Sequence, residues 1–384
     1  MSLASNIQKI LFATRLSDWR LSFVPFIIGT VYFWIAWFKI PFSFYHLTIL
    51  FLSLCTSFGF AAFGYFINEF FDKDQDAKAG KINKLSTIST PRQFLLFLFI
   101  LLLTFCPWVI LPSTQLSFLL IATEIALFFL YSLPLLRLKN NYFLAPILDA
   151  SYAYLVPAIL SFHTFSLLTT TPKYSIQLWP FFIMLFFIGY RNILIHQVND
   201  VLGDIRAQAK SLVQKLGISN TEALLKALLI TEISILTAFI FALPFVSLNY
   251  LILVFALVFF FFLHRNNLYA VLQTKPFFIL KSERQFIDLF YQLWFPFSSL
   301  LILGFLDWKW LLLIPIHALL LIKKDYIIRL LDVLMDYLWH YSLRPLFSFI
   351  LNYLIYFCFR IVGVNLRSEK KSAMEYLKSR RNSA

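Results

Sequence analysis

The sequence predicts an all-α, polytopic membrane protein, and its composition and its hydrophobic pattern both point to this class. Of its 384 residues, 60% are hydrophobic and 14% are charged, and the mean hydropathy is +0.77. Soluble domains carry about 25% charged residues, whereas a helix crosses a bilayer with about 20 consecutive apolar residues. Apolar runs of roughly that length recur along the chain, so we predict about nine transmembrane helices. They lie at 21–38, 46–68, 94–112, 114–133, 143–163, 177–199, 223–244, 246–264 and 286–304.

The charged residues between these runs indicate how the chain is oriented. If the N-terminus is cytoplasmic, eighteen Lys and Arg residues fall in cytoplasmic segments, and three, Lys39, Lys173 and Lys309, fall on the opposite side. Short cytoplasmic loops are enriched in Lys and Arg, so we predict a multi-pass protein in membrane lipid with this orientation. The same rule accounts for the net charge of +14, and we predict no nucleic-acid partner.

The first polar cluster lies where the second apolar run ends. Asn68, Asp72 and Asp76 are spaced four residues apart, so on a continuous helix they would share one face. Amide and carboxylate oxygens are ligands for Mg²⁺, which keeps several waters and takes substrate phosphate oxygens as its remaining ligands. The alternative is a solvated helix end whose acids are screened by the lysines that follow.

A second cluster repeats this spacing at the end of the sixth run, where His196, Asp200 and Asp204 lie four residues apart. Both clusters fall on the cytoplasmic side of the predicted topology, and carboxylates within an apolar segment are costly unless they have a function. We therefore predict that the clusters face each other across a cavity and bind Mg²⁺. Arg191 and His196 lie deeper and are candidates for substrate binding or a general base, although His196 is equally compatible with packing.

Basic side chains accompany both clusters. Lys81 follows the first cluster, and Arg137 and Lys139 lie at the cytoplasmic end of the fourth run. Lys and Arg bind phosphate oxygens through charge-assisted hydrogen bonds, so we assign these three residues to a diphosphate group. The competing explanation is that they only retain their loops on the cytoplasmic side. Tyr131, in the same loop as Arg137, is a further candidate for substrate binding or a base.

Two aspartate motifs and an intervening loop, in this order and spacing, resemble those of the UbiA-type intramembrane prenyltransferases. They are Asn68-x-x-x-Asp72-x-x-x-Asp76, YSLPLLRLK at 131–139, and Asp200-x-x-x-Asp204. The resemblance covers about residues 12–305 and implies a ring of nine transmembrane helices around a central cavity, capped by the loops that carry the motifs. Members of that family often have a Lys four residues after the loop Tyr, whereas this chain has Leu135 there.

The resemblance implies an enzyme that moves an isoprenoid chain from an allylic diphosphate to an electron-rich, lipophilic acceptor such as an aromatic ring or a quinone precursor. Mg²⁺ and basic side chains would neutralise the departing diphosphate, and the cavity would keep the carbocation from water. The four aspartates are then catalytic. One Mg²⁺ would be held by Asn68, Asp72 and Asp76, and the other by Asp200 and Asp204.

Two other functions are compatible with the sequence. A phosphosugar transferase would also use Mg²⁺ to bind a diphosphate. Its donor would be the sugar diphosphate, and a polyprenyl phosphate would be the acceptor. A membrane transporter is the alternative of another class, but its ion sites are expected near the bilayer midplane at broken helices, whereas these acids lie at the rim. Further acids in or beside the runs are each either a base or a structural acid: Glu124, Asp149, Glu232 and Asp288.

Residues 1–305 thus form a predicted UbiA-like domain, and residues 306–384 extend beyond it. The extension begins with a shorter apolar run at 308–322 and continues with a polar periodicity typical of an amphipathic helix on a membrane surface. A basic C-terminal tail follows. We predict additional hydrophobic and amphipathic helices here and assign them no role in the site.

Overall fold

A computed structural model describes residues 24–169, 178–242, 291 and 295–321, and every regular element within these residues is helical. The helices follow the predicted apolar runs in order. Their bounds are α1 Val24–Trp37, α2 Phe44–Phe71, α3 Lys73–Ala79, α4 Thr90–Phe105, α5 Gln115–Ser132, α6 Leu144–Ser166, α7 Trp179–Arg206, α8 Leu212–Leu216, α9 Ile218–Ala242, α10 Phe295–Leu306 and α11 Ile314–Leu321.

Six of the described helices, namely α2, α4 with the turn that follows it, α5, α6, α7 and α9, are long and apolar enough to cross a bilayer. They correspond to the second through seventh predicted spans, as expected for an all-α, multi-pass membrane protein. The shorter helices α1 and α10 lie at the first and ninth predicted spans. The eighth predicted span, 246–264, and the predicted tail helices after residue 322 lie outside the described residues.

Close contacts between the long helices depend on glycines, as is usual for helices in membranes. Gly59 of α2 packs against α4, and a Cβ added there would lie 2.7 Å from the Cα of Thr104. Gly189 of α7 packs in the same way against α6, where an added Cβ would lie 2.7 Å from the Cα of Ala150. A larger side chain at either position would push apart helices that carry parts of the candidate site.

The aromatic side chains of α1 form the centre of the core. Phe33 and Trp34 are fully buried, and their ring centroids lie 5.4 and 5.2 Å from that of Phe181 in α7. Helix α1 also packs along α10, where the rings of Phe26 and Phe295 are 5.8 Å apart. Because aromatic pairs contribute about 0.5–1.5 kcal/mol beyond their buried area, α1 holds α7 and α10 together.

The described helices after residue 305 pack with this core. One compact unit of the chain ends at Ile322 and the second is Lys323–Ala384, which lies outside the described residues. Within the first unit, α11 approaches α1 through the rings of Tyr32 and His317, whose centroids are 5.7 Å apart. The boundary of the UbiA-like domain at residue 305 stays a prediction.

A small cavity of about 30 Å³ with mostly apolar walls lies between α1, α2, α6 and α7. Helices α2 and α7 each end in one of the two polar clusters, and we call this end of the helices the aspartate end. The cavity lies deeper in the bundle than the aspartate end. Its walls include Ile27, Thr30, Ser57, Tyr154, Ala158 and Leu185.

Candidate active site

The first cluster lies at a break between two helices. Helix α2 ends at Phe71 and α3 begins at Lys73, and Asp72 between them has φ −97° and ψ 1°. Helical hydrogen bonds continue through the break, from the Asp72 amide to the Asn68 carbonyl at 3.0 Å and from the Asp76 amide to the Asp72 carbonyl at 2.8 Å. The spacing predicted one continuous helix face, whereas the structure distributes the three residues over two helices.

The loop after α5 brings two cations to this cluster. Arg137 has φ 38° and ψ 51°, a left-handed conformation that non-glycine residues rarely adopt. Its guanidinium lies 3.0 Å from an Asp72 oxygen, while the Lys139 ammonium contacts the same oxygen and donates to the Asn68 amide oxygen at 3.0 Å. Burial lowers the pKa of the Lys139 ammonium, and the Asp72 carboxylate opposes that shift.

Leu135, which occupies the position of the lysine in the resembled motif, is not a site residue. Its side chain is 89% exposed. Arg137, in its left-handed conformation, and Lys139 two residues later both contact Asp72. The cluster therefore has two basic partners from this loop although the motif's lysine is missing.

The second cluster lies in the last three turns of α7, which ends at Arg206. The Lys81 ammonium is 2.8 Å from an oxygen of Asp200, and both side chains are partly exposed. Lys81 passes over Gly203, where an added Cβ would lie 3.0 Å from its Cε. A side chain at Gly203 would therefore crowd the Lys81 side chain along its path to Asp200.

The two clusters share one electrostatic environment. Asp204 interacts with Lys81, with its neighbour Asp200 and with Lys139. Lys139 in turn interacts with Asp72 and with Asp76 of the first cluster. The structure therefore brings both aspartate motifs and all three predicted phosphate-binding residues to the same end of the bundle.

Two buried residues that the sequence interpretation did not assign hold the loop that carries Lys81. Glu69 is 1% exposed, and its carboxylate accepts the backbone N–H of Lys84 at 2.7 Å. The Asn83 side-chain amide donates to the Glu69 carbonyl at 2.8 Å and to the Asp76 carboxylate at 2.9 Å. Spacing carried no signal for this role, because it arises only once the loop folds back on α2.

A pair of tyrosines connects the site to a further carboxylate. The rings of Tyr131 and Tyr152 pack edge to face, with centroids 5.3 Å apart, and the Tyr152 hydroxyl donates to the carboxylate of Asp149. Tyr152 lies in the π-helical segment Ser151–Leu155 of α6, and such segments are frequent at functional sites. The sequence offered Asp149 only as one acid among four, and the hydrogen bonds distinguish it from the others.

The two deeper candidates on α7 have different surroundings. The Arg191 Nε donates to the Glu232 carboxylate of α9 at 2.8 Å, with side chains that are 3% and 0% exposed. This ion pair lies about 13 Å along α7 from Asp200, given 1.5 Å per residue, and it links two helices. His196 is exposed and lies one turn from Asp200.

The oxygen groups present suit Mg²⁺ if a substrate completes the coordination. Among the described residues, no three His, Cys, Asp or Glu side chains form a group that could hold a metal ion alone. Mg²⁺ is usually bound by one or two carboxylates together with waters and substrate phosphates, and each cluster offers two carboxylates. The basic groups beside Asp72 and Asp200 show that these carboxylates attract positive charge.

Solved structures of known proteins share this fold. A UbiA homolog from Archaeoglobus fulgidus bound to GPP and Mg²⁺ has a TM-score of 0.53 and 17% identity to this chain. The same homolog bound to DMAPP and Mg²⁺ has a TM-score of 0.51 and 16% identity, and a digeranylgeranylglyceryl phosphate synthase has 0.51 and 14%. Each comparison covers 77% of this chain and 99% of the other.

Sequence comparison gives the family directly. No curated protein matches the chain by sequence, but the family model described as "UbiA prenyltransferase family" matches residues 22–279. That range is more than half of the chain and includes both aspartate motifs and the loop between them. The protein is therefore a multi-pass membrane member of the UbiA prenyltransferase family.

Proposed function

We propose that the protein transfers an isoprenoid chain from an allylic diphosphate to an electron-rich aromatic or quinone-precursor acceptor, with Mg²⁺ assisting release of diphosphate. One observation carries this proposal. Two carboxylate clusters and three basic side chains meet at the end of helices that enclose an apolar cavity. The GPP and Mg²⁺ bound by the structurally similar A. fulgidus homolog support the choice of donor.

The basic residues would exchange their carboxylate partners for the donor. Asn68, Asp72 and Asp76 would hold one Mg²⁺, and Asp200 and Asp204 the other. When bound, Mg²⁺ supplies Lewis-acid neutralisation of the leaving diphosphate.

Lys81, Arg137 and Lys139 now contact the clusters themselves. With those carboxylates engaged in holding the metal, the three side chains would be free to bind diphosphate oxygens through charge-assisted hydrogen bonds.

Bond making then occurs away from water. The allylic C–O bond breaks and its electron pair leaves with the diphosphate, and an electron pair of the acceptor forms the new bond to the allylic carbon. A low-polarity cavity protects a carbocation from hydrolysis, and the cavity beneath the aspartate end has mostly apolar walls. The acceptor's proton would leave toward Asp149, whose carboxylate accepts a hydrogen bond from the Tyr152 hydroxyl.

We further propose that this site faces the cytoplasm. Eighteen of the Lys and Arg residues in the loops fall on that side when the N-terminus is cytoplasmic, against three on the other side. Such an asymmetry is the usual determinant of orientation. A soluble diphosphate donor would then reach the site from the cytoplasm.

The test is diphosphate release from labelled farnesyl or geranylgeranyl diphosphate by purified protein in lipid, with and without Mg²⁺ and with a panel of phenolic acceptors. We expect Mg²⁺-dependent release that falls about a hundredfold in Asp72→Asn and in Asp200→Asn, the scale on which loss of one charge-stabilising group acts. Asp74→Asn is the matched control, because Asp74 is an exposed acid in the same stretch.

Two outcomes would contradict the proposal. If folded wild-type protein neither binds nor consumes prenyl donors of several lengths, the phosphosugar transferase becomes the leading alternative, followed by the transporter. If Asp74→Asn loses as much activity as Asp72→Asn, the loss reflects general surface charge and not a defined metal site.

A further inference from the structure

The loop that joins α5 to α6, residues 133–143, continues past its two basic residues along a defined path. We call it the basic loop. Its middle is the 3₁₀ turn Leu138–Asn140. The Asn141 side-chain oxygen then accepts the backbone N–H groups of Phe143 and Leu144, each at 3.1 Å. These local bonds fix how the chain leaves the basic residues and enters α6.

Helix α8, which follows α7 at the same end of the bundle, also has a fixed place. The Ser211 hydroxyl accepts the Gln214 N–H at 3.4 Å, and the Gln214 side-chain oxygen accepts the Ser211 N–H at 3.3 Å. The Gln197 side chain of α7 accepts the Leu212 N–H at 3.1 Å. Leu212 and Val213 are 2% and 1% exposed, in an apolar cluster with α7 and α9. A helix held in this way can serve as an anchor for a neighbouring loop.

Lys215 of α8 connects the two segments. Its ammonium lies 4.3 Å from the ring centroid of Phe143 and 5.4 Å from that of Tyr142. An ammonium within about 6 Å of a ring centroid is attracted to the negative face of the ring. Tyr142 also packs against the apolar cluster that contains Leu212. The basic loop is therefore tied to α8 by a cation beside two rings and by the packing of one of them.

The opposite contact of the basic loop is exchanged during the proposed reaction. Arg137 and Lys139 contact Asp72 in the structure, whereas in the reaction Asp72 would hold Mg²⁺ and both basic side chains would turn to the diphosphate. The contact with α8 is made by other groups, so it can persist while the donor binds. Tyr142 is three residues from Lys139, a chain length of about 10 Å at most, so holding Tyr142 limits how far Lys139 can move.

We propose that Lys215 is a positioning residue for diphosphate binding, which it supports by holding the basic loop through Phe143 and Tyr142. This inference rests on the proposed function. Without the anchor, the loop gains conformational freedom once Asp72 engages the metal, and each binding donor must order it again. Ordering a flexible segment weakens binding, so the loss belongs to donor affinity more than to the chemical step.

The test compares Lys215→Met, which keeps an apolar stem without the charge, with Lys215→Arg, which keeps a cation for the rings. Phe143→Leu and the double variant Lys215→Met with Phe143→Leu complete a cycle. For each protein in lipid we measure KM and kcat with geranylgeranyl diphosphate and, independently of turnover, the Kd of inorganic diphosphate with Mg²⁺.

We expect Lys215→Met and Phe143→Leu each to raise KM and Kd about two- to fivefold, the scale of an exposed cation–ring contact, with kcat changed less. Lys215→Arg should stay near wild type. The double variant should lose no more than either single one, because both remove the same contact. Lys210→Met is the matched control, since Lys210 is an exposed lysine in the same connection between α7 and α8, and it should change neither constant.

Three results would overturn the proposal, with folding of each protein checked by its melting temperature. They are unchanged donor and diphosphate affinity in Lys215→Met, fully additive losses in the double variant, which would mean that Lys215 binds the diphosphate directly, and an equal loss in Lys210→Met. If Phe143→Leu does not fold, Lys215→Met against Lys215→Arg decides. Failure of the proposed function is distinguishable, because wild type would then consume no prenyl donor.

Discussion

At the scale of single residues, hydrogen-bond partners distinguish acids that look alike in the sequence. Asp149, Glu124 and Glu232 are all acids within apolar runs, yet of these three only Asp149 accepts a hydrogen bond from Tyr152, whose ring packs against that of Tyr131. Glu232 is instead committed to Arg191. The sequence could not make this distinction, because hydrogen-bond partners come from other helices and no spacing rule identifies them.

Asp149→Asn tests the proton pathway at this scale. Because a general base typically contributes a factor of about 10²–10⁴, we expect prenylation of a phenolic acceptor to fall at least a hundredfold. Diphosphate release without acceptor should stay near wild type, since ionisation of the donor precedes proton removal. Product formation and diphosphate release are measured side by side, with Tyr152→Phe expected to match Asp149→Asn and Asp149→Glu to recover part of the activity. Equal loss of both signals would show that Asp149 only supports the fold.

At the scale of elements, the break between α2 and α3 and the loop after it determine the shape of the first cluster. The four-residue spacing correctly indicated that Asn68, Asp72 and Asp76 belong together, since the helical hydrogen bonds continue through the break. It could not indicate that Asp76 lies on a second helix, nor that Asn83 ties the loop to both Asp76 and Glu69. The folded-back loop is what delivers Lys81 to α7.

Asn83→Ala should therefore weaken donor binding more than it weakens the fold. Removing the Asn83 amide leaves the loop tied to α2 by the Glu69 carboxylate but loses its bonds to the Glu69 carbonyl and to Asp76, so Lys81 is held less firmly at Asp200. We expect KM for the diphosphate donor to rise about tenfold, the effect of losing roughly 1.4 kcal/mol of binding free energy, with a smaller change in kcat. Steady-state kinetics measure the separate changes in KM and kcat. Thr87→Ala, which removes an exposed hydrogen bond in the same segment, should change neither constant, and an effect as large as that of Asn83→Ala would contradict the assignment.

At the scale of the whole molecule, a buried ion pair and an aromatic core hold the helices that carry the site. Arg191 and Glu232 join α7 to α9 with side chains almost fully removed from solvent. Trp34 and its neighbours join α1, α6 and α7. The second cluster on α7 thus keeps its position relative to the first only while these contacts persist.

Glu232→Leu should lower the free energy of unfolding by about 3–5 kcal/mol, because it leaves the Arg191 guanidinium buried without its carboxylate. The double variant Arg191→Leu with Glu232→Leu should recover most of this loss, since replacing both partners by apolar residues removes the uncompensated charge. Unfolding of the three proteins in the same detergent measures both effects. A double variant as unstable as the single one, with activity also lost, would instead indicate that Arg191 acts on the substrate.

The sequence by itself determined the class of the protein, the order of its helices and the identity of the aspartate motifs. These follow from local patterns: apolar runs long enough to cross a bilayer, and four-residue spacing of acids and an amide at the ends of two runs. They also sufficed to place Lys81, Arg137 and Lys139 among the candidate phosphate-binding residues, even though Leu135 departs from the family's loop motif.

Only the tertiary structure decided which side chains meet. Arg137 and Lys139 meet Asp72, Lys81 passes over Gly203 to reach Asp200, and the Trp34 indole donates a hydrogen bond to Ser161. Each of these contacts joins residues far apart in the chain. Their energies depend on how helices pack, so no pattern along the sequence could specify them.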